Sequence, residues 1–229
     1  HDPLRRQRQM CIRDRLDSKH TFSFGHYYDP QNMGFGNLRV INDDRVDGGR
    51  GFDAHPHNNM EIISYVIEGA LEHKDSMGTG SVIKPGDVQH MSAGTGVVHS
   101  EFNHSPTEKV HLLQIWIVPK ERDIEPKYNQ KYFSEEDKLN KLAKIISPDG
   151  SDNSIEINQD TTIFASIVDK DGEVRFTPSN DKDYWIHVVQ GNVNFQEYNL
   201  KEGDGVAITK GELSAVSYTH LTLPTKWIV

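Results

Sequence analysis

The sequence predicts an all-β protein made of two similar barrels joined by a short helix, and three observations support this prediction. Short apolar and β-branched runs have the length of strands, and glycines separate them as turns. Two pairs of matching segments indicate that a β-rich unit occurs twice. Only one stretch of the chain has clear helical spacing. With 229 residues, the chain has room for one large domain or two compact ones.

The first β-rich block covers residues 16–130. Its strand-length runs are Leu38–Ile41, Glu61–Ile67, Ser81–Ile83 and Leu112–Val118. Each run is rich in the residues that favour a pleated, half-buried backbone, and each is bounded by turn-forming residues. The block is therefore predicted to be a β unit of many short strands separated by turns.

A helix is predicted over Ser134–Ile146. Ser134 has the properties of an N-cap, and the three acidic residues after it suit the first turn of a helix. Further on, Leu139, Leu142, Ala143 and Ile146 recur at helical spacing. The following Pro148-Asp149-Gly150 is predicted to end the helix.

A second β-rich block, about 155–216, repeats part of the first. Residues 64–69 read SYVIEG and 186–191 read IHVVQG, while 82–88 read VIKPGDV and 200–206 read LKEGDGV. An alignment that sets Gly69 on Gly191 and Gly86 on Gly203 has a loop five residues shorter in the second block. It also sets His55 and His57 on Thr177 and Ser179, His99 on Val216, and Glu101 on Tyr218. A metal site kept in one unit and lost from the other explains this difference.

Two short pairs of residues carry the metal prediction. His55 and His57 are two positions apart, as are His99 and Glu101, so each pair faces one side of an extended strand. One such pair alone is common in exposed loops, but the second pair favours a ligand set. Three imidazoles and a carboxylate suit Fe(II), Mn, Ni, Cu or Zn.

The fourth ligand is left open by spacing alone. Glu61 lies four residues after His57, and with Gly49 and Gly69 it completes the pattern G-x5-H-x-H-x3-E-x7-G. This pattern resembles the first motif of the cupin superfamily, whose carboxylate is a ligand in many members. Glu61 therefore competes with Glu101 for the fourth position.

Charge and composition exclude several classes of function. The net charge of −9 and the pI near 5.7 disfavour direct contact with nucleic acid or an anionic membrane surface. No apolar stretch approaches the roughly 18 residues that a membrane span needs. The single cysteine, Cys11, permits no intrachain disulfide. With no secretory signal pattern at the start of the chain, the cytoplasm is the expected location.

Longer motifs resemble the pirin family of bicupins. They read HTFSFGHYYDP (20–30), MGFGNLRVINDDRV (33–46), AHPHNNMEIISYVIEGALEHKDSMG (54–78) and PGDVQHMSAGTGVVHSE (85–101). The resemblance implies two jelly-roll cupin barrels and one iron held by His55, His57, His99 and Glu101. It also implies that Glu61 is not a ligand and that the C-terminal barrel is metal-free.

Some bacterial pirin-like proteins are quercetin 2,3-dioxygenases, which open a flavonol ring with O2. The resemblance therefore implies a small aromatic, flavonol-like substrate, with Glu101 as the base that takes its hydroxyl proton. The candidate pocket walls are Phe52, Met60, Met91 and Phe102, although residues of these types are more often core. His90 is interpreted as pocket wall or as a satisfied polar residue rather than a ligand. The alternative function is an iron- or redox-responsive protein that acts through a protein partner without turnover, like the eukaryotic relatives.

Both ends of the chain are expected to be non-native. Residues 1–15 and 218–229 resemble translated sequencing-adapter read-through, and they do not continue the strand pattern. The predicted division is thus a tail at 1–15, a metal-binding barrel at 16–130, a linker helix with a metal-free barrel at 131–217, and a tail at 218–229.

Overall fold

The computed structural model describes residues 4–6, 8–11, 16–170, 172–179, 181–195, 198–210 and 225–228. These residues fall into two compact units. The N-terminal unit comprises Arg8–Phe133 and Ile146–Thr161, and the C-terminal unit comprises His1–Gln7, Ser134–Ile145 and Thr162–Val229. The chain thus returns to the N-terminal unit for residues 146–161, which the sequence-based division had assigned to the C-terminal barrel.

The N-terminal unit contains two antiparallel sheets. Its strands are β2 (Arg8–Cys11), β3 (Leu16–His20), β4 (Leu38–Val46), β5 (Gly51–His57), β6 (Glu61–Glu68), β7 (Leu71–Asp75), β8 (Gly80–Ile83), β9 (Asp87–Ser92), β10 (Val97–Asn103), β11 (Val110–Ile117) and β12 (Lys127–Tyr132). The larger sheet has the order β12-β9-β6-β11-β4-β3-β2, and the smaller sheet has the order β5-β10-β7-β8. The predicted metal ligands lie on strands β5 and β10 of the smaller sheet.

The C-terminal unit repeats this plan in reduced form. Its elements are β1 (Leu4–Arg6), α1 (Glu135–Lys138), β13 (Ala143–Ser147), β15 (Ile163–Val168), β16 (Tyr184–Gln190), β17 (Asn192–Phe195), β18 (Tyr198–Lys201), β19 (Asp204–Ile208) and β20 (Thr225–Ile228). Ile146 and Ser147 at the end of β13, which belong to the N-terminal unit, pair in parallel with β14 (Ile155–Glu156) of that same unit. Within the C-terminal unit the sheet order is β1-β19-β16-β20-β15-β13, with β17 and β18 as a separate hairpin. The all-β architecture of two cupin domains is therefore confirmed.

The internal repeat corresponds to matching backbone geometry. Gly69 and Gly191 have φ angles of 79° and 84°, and Gly86 and Gly203 have 95° and 84°. All four lie in the left-handed region, which glycine adopts without the steric cost of a Cβ. The strand registers also match, because Ser64 pairs with Gln89 where the repeat pairs Ile186 with Val206. The alignment made from sequence therefore describes a real structural repeat.

The helix predicted over residues 134–146 was wrong beyond its first turn. Ser134 does form a capping box with Asp137, but α1 ends at Lys138 and Leu139 is already extended. Asn140 then adopts a positive φ of 54°, which a continuing helix does not allow. Ala143–Ser147 becomes strand β13, with Ile145 and Ile146 both buried. Burial of two consecutive β-branched residues favours a strand covered on both faces, so tertiary context overrode the helical spacing.

The strands from the expected tails pair with the rest of the fold. Strand β2 pairs with β3, and β1 pairs with β19. Strand β20 lies between β15 and β16, the place that β11 has in the N-terminal unit. Residues 218–224 lie outside the described residues. Backbone pairing is open to any segment of strand length, so the foreign origin of residues 1–15 and 218–229 stays a prediction. No helix in the described part of the chain is long and apolar enough to cross a membrane.

Candidate metal centre

The two predicted ligand pairs lie on neighbouring strands. Strands β5 and β10 are antiparallel, and their register places His99 directly opposite His55. The two Nε2 atoms are 3.1 Å apart. His57 joins them, so that one ring nitrogen from each of the three histidines lies within 4.8 Å of the others. The i and i+2 argument from sequence therefore brings these three imidazoles to one point.

A β-bulge shapes the His55 side of this cluster. The β5–β10 register shifts between His99 and Glu101, because Glu101 pairs with Phe52 while His99 pairs with His55. The extra residue in β5 lies next to Asp53, whose backbone carbonyl accepts a 2.7 Å hydrogen bond from His55 Nδ1. Because Nδ1 carries the proton in that bond, the neutral ring presents the lone pair of Nε2 to the cluster.

His99 is oriented by a chain of hydrogen bonds that runs away from the cluster. Its Nδ1 lies 3.4 Å from Nδ1 of His73, and His73 Nε2 lies 3.0 Å from Asp75 Oδ2. Asp75 also accepts bonds from the backbone N–H groups of Met77 and Thr79. As the carboxylate only accepts, His73 Nε2 donates to it. In the neutral ring His73 Nδ1 then accepts from His99 Nδ1, which leaves His99 Nε2 with a lone pair. Relays of this kind fix the tautomer of a metal-binding histidine.

Glu101 lies on the other side of His99. One carboxylate oxygen accepts from Ser64 Oγ at 3.0 Å, and the other accepts from Gln114 Nε2 at 2.7 Å. Its carboxylate groups with His99 and His73 within 4.8 Å, while His55 and His57 form the second grouping with His99. Burial of Glu101 raises its pKa above the ordinary carboxyl value. This side chain is therefore suited to accepting a proton.

Burial controls the protonation of the imidazoles as well. Desolvation, together with the charge of the neighbouring His55, lowers the pKa of His57 to about 4. Desolvation and the nearby histidines lower the pKa of His99 to about 3. Both rings are thus neutral at pH 7, which is the form that binds metals.

The donor set fits a transition-metal ion. In their neutral forms, His55 and His99 each direct the lone pair of Nε2 to the same point, because each ring's Nδ1 is hydrogen-bonded elsewhere. Neutral imidazoles with a carboxylate beside them match the ligand preferences of Fe, Mn, Ni, Cu and Zn. The assignment of His55, His57, His99 and Glu101 as the ligand set of a bound ion remains a prediction.

The competing carboxylate, Glu61, lies in a different environment. Its oxygens accept hydrogen bonds from His90 Nε2 at 2.8 Å and from Ser92 Oγ at 2.6 Å. Glu61 begins β6 on the face opposite Ser64, whose hydroxyl reaches Glu101. Glu61 is absent from both metal-type groupings of the described residues. His90 is accordingly a residue whose Nε2 is satisfied by Glu61.

The four predicted pocket-wall residues have different surroundings. Met91 is fully buried with Ile62 and Val97, and Met60 packs against that cluster. Phe52 packs against the cluster that contains Val46, Val66, Leu71, Ile83, Val110 and Leu112. Phe102 is exposed and alternates along β10 with the buried Glu101, so it faces away from the cluster. Substrate contact by these residues stays a prediction.

His73 and Trp116 are among the site residues that were missed in the sequence. His73 has no exposed surface, and it lies on β7 directly opposite Glu101 on β10. Trp116 stacks edge-to-face on His57 with ring centroids 4.9 Å apart, and it packs against the same cluster as Met60. Alternation along Leu71–Asp75 could have indicated that His73 and Leu71 share the inner face. No sequence signal identified Trp116, because its contact with His57 depends on the pairing of distant strands.

The chain is similar to known proteins over most of its length. Residues 3–117 match the family model described as Pirin, and residues 144–222 match the model described as Quercetinase C-terminal cupin domain. A protein named quercetin 2,3-dioxygenase from Escherichia coli (strain K12) is 47% identical over 193 residues, which are 84% of this chain and 82% of that protein.

Two solved structures of a bacterial pirin have the same fold. The crystal structure of YhhW from Escherichia coli superimposes with a TM-score of 0.90 at 40% identity, covering 98% of this chain and 94% of that one. A structure of the same bacterial pirin in complex with nickel(II) gives a TM-score of 0.89 at 40% identity, covering 98% of this chain and 96% of that one. From the family-model match and these relatives, we conclude that the chain belongs to the pirin family of two-domain cupins.

Proposed function

We propose that this chain is an iron-dependent dioxygenase that opens the flavonol ring of quercetin, or of a related small aromatic compound, with O2. The observation that carries the proposal is the convergence of three imidazoles beside a buried carboxylate. Relatives named quercetin 2,3-dioxygenase support the reaction class, and the nickel(II) complex of a relative supports a metal at this type of site. The single cysteine of this chain suits a reducing compartment, so we propose that the protein acts in the cytoplasm.

Each residue has a distinct part in this proposal. His55, His57, His99 and Glu101 would hold the metal, which when bound supplies Lewis acidity and an electronic path between an aromatic substrate and O2. Glu101 would take the hydroxyl proton of the flavonol, since burial raises its pKa. Ser64 and Gln114 hold both carboxylate oxygens in place. Trp116 and Met60 provide an apolar surface beside His57 for an aromatic ring.

The test is anaerobic purification, metal analysis, and measurement of quercetin turnover with O2 uptake. We expect near one iron per chain, and we expect both metal and turnover to be lost in a His55→Ala/His57→Ala variant. A Glu101→Gln variant should lose about 10²–10⁴-fold in turnover, the range typical of a removed general base. The matched control is Thr177→Ala/Ser179→Ala, at the positions that the repeat aligns with His55 and His57.

The outcomes separate the two functions considered for this chain. Stoichiometric iron with turnover only in the wild type and the control supports the dioxygenase. Stoichiometric iron without turnover contradicts it and favours a role through a protein partner. Nickel or another metal in place of iron, with turnover intact, would overturn the choice of metal alone.

A further inference from the structure

Two side chains on one face of β11 join the two sides of the metal centre. Gln114 and Trp116 are two positions apart on this strand, so their side chains point to the same face of the sheet. Gln114 lies opposite Ser64 in the register with β6, and both side chains reach the carboxylate of Glu101. Trp116, two residues further along β11, lies against the ring of His57. One strand therefore supports a predicted ligand from each of the two groupings.

The indole N–H of Trp116 fixes the orientation of the Gln114 amide. Trp116 Nε1 donates to Gln114 Oε1 at 3.0 Å, while Gln114 Nε2 donates to Glu101 Oε2 at 2.7 Å. An indole nitrogen can only donate, so the amide atom that faces it must be the oxygen. If the amide turned over, its oxygen would face the carboxylate, and two acceptors would meet. Trp116 thus keeps Gln114 in the orientation that donates to Glu101.

The ring of Trp116 supports the other side of the centre. His55 and His99 are each oriented by a hydrogen bond at Nδ1. In the described part of the chain, the ring of His57 is instead surrounded by other rings, namely those of His55, His99 and Trp116. The ring of Trp116 lies outside the predicted ligand set, and it meets His57 edge-to-face at an interplanar angle of 86°. Packing against Trp116 therefore limits the directions in which the His57 ring can turn.

Trp116 is itself held in place by its neighbours. Phe24 packs edge-to-face on its ring, with centroids 5.1 Å apart and an interplanar angle of 85°. The indole also packs against the buried cluster of Ile62, Met91 and Val97. A side chain whose rotamer is locked by packing and by a hydrogen bond can hold the residues that it touches in a fixed geometry.

We propose that Trp116 is a positioning residue of the metal centre, which orients His57 through its ring and Glu101 through the amide of Gln114. The proposal rests on the ligand set of the proposed dioxygenase. It does not depend on the reaction, because the orientation of the ligands changes the affinity and geometry of a bound ion whatever substrate is turned over.

The experiment is a double-mutant cycle on metal affinity. Competition measures the affinity of the full chain for cobalt(II), and the visible absorption spectrum of the bound ion reports its coordination geometry. Trp116→Phe keeps a ring against His57 and removes the N–H, so cobalt(II) should bind about three- to tenfold more weakly, the range of one neutral hydrogen bond. Gln114→Met keeps the length of the side chain and removes the donor to Glu101, so the affinity should fall by about tenfold. Both variants should change the spectrum.

The combined variant separates positioning from a general effect on the fold. Because the N–H acts through Gln114, Trp116→Phe should weaken cobalt(II) by less than about twofold when Gln114→Met is already present. A residue that contributed only to stability would lower the affinity by the same factor in both backgrounds and would leave the spectrum unchanged. Trp116→Leu also removes the ring beside His57, so it should weaken cobalt(II) more than Trp116→Phe does.

The matched control is Trp185→Phe, the same change at a buried position of the C-terminal unit, which should leave affinity and spectrum unchanged. If Trp116→Phe disturbs the fold, Gln114→Met still tests the link to Glu101 with Trp116 intact. Wild-type affinity in either variant, or equal losses from Trp116→Phe in both backgrounds, would overturn the proposal. Cobalt(II) affinity is measured without quercetin, so failure of turnover would leave the proposal standing, whereas a wild type that binds no cobalt(II) would overturn the ligand set and the proposal together.

Discussion

The two units share a backbone plan but differ in what fills their interiors. At positions that the repeat aligns, Ser64, His73 and Gln89 of the N-terminal unit correspond to Ile186, Phe195 and Val206 of the C-terminal unit. The three apolar residues belong to one continuous core with Val188, Val193 and Leu200. The three polar residues lie around the metal centre or on the strands that support it.

This difference shows which features of the fold are structural and which serve the site. The left-handed glycines and the strand registers are kept in both units, so they are requirements of the barrel. Polar, hydrogen-bonding side chains fill the interior only in the N-terminal unit, where the predicted metal ligands need support. An apolar interior needs no partners for its side chains, whereas each polar group in the N-terminal unit must be satisfied by another.

The largest expected effect is on metal affinity, when one position of the N-terminal unit is changed to the residue found in the C-terminal unit. His73→Phe, which copies Phe195, removes the acceptor for His99 Nδ1 and should lower metal affinity by about 10–100-fold. His73→Gln retains an acceptor and should recover part of the loss. Metal competition measures the affinity, and circular dichroism checks the fold.

The control for that change lies in the other unit. Phe195→Leu alters the equivalent buried position and should leave metal affinity unchanged. If His73→Phe bound metal as tightly as the wild type, the hydrogen-bond chain from His99 to Asp75 would have no role in the site.

A smaller effect is expected on the free energy of unfolding when alanine replaces a glycine that the two units share. Gly191→Ala should lower the free energy of unfolding by about 1–2 kcal/mol, the cost of a left-handed backbone for an ordinary residue. Gly69→Ala should lose more, because its Cβ would lie 2.7 Å from the carbonyl oxygen of Lys109 and 3.0 Å from Val110 Cα. Denaturant unfolding gives both values, and equal losses would contradict the steric argument.

A pH-dependent effect concerns a buried acid on β4 that β15 of the C-terminal unit does not have. Burial, together with the charges of Asp43 and Glu101, raises the pKa of Asp44 to about 7. Because its pKa is raised in the folded protein, Asp44 contributes stability that is fully present at pH values below its unfolded-state pKa of 3.8. That contribution is lost as the pH rises from this value to about 7. Asp44→Asn should therefore be more stable than the wild type by about 1–3 kcal/mol at pH 8, with little gain at pH 4.

Thermal unfolding between pH 4 and pH 8 measures this gain, and Glu135→Gln, an exposed acid on α1, is the control. A gain that is the same at both ends of this range would show that Asp44 is not protonated in the folded protein.

Much of the fold could be predicted because its signals are local. Strand-length runs such as Glu61–Ile67 fall within observed strands, and the glycine spacing aligns the repeat correctly. The helix predicted at 134–146 failed because burial of Ile145 and Ile146 is decided by strands far away in sequence. Local spacing cannot report such pairing.

The candidate site could be predicted in part for a similar reason. His55 with His57, and His99 with Glu101, each form a pair within one strand, so alternation alone places them on one face. His73 and Trp116 reach the site singly, from β7 and β11, and only the sheet order brings them there. Residues that support a ligand from another strand have no short motif to reveal them.

The bulge in β5 has a consequence for protein engineering. The extra residue lies between Phe52 and His55, opposite His99 and Glu101, so it changes the backbone just before His55 while His55 and His99 keep a direct register. Transplanting the four side chains into the regular sheet of another barrel would keep that register but would lose the backbone that places the Asp53 carbonyl against His55. A designed copy of this centre must therefore include the irregular backbone as part of the ligand set.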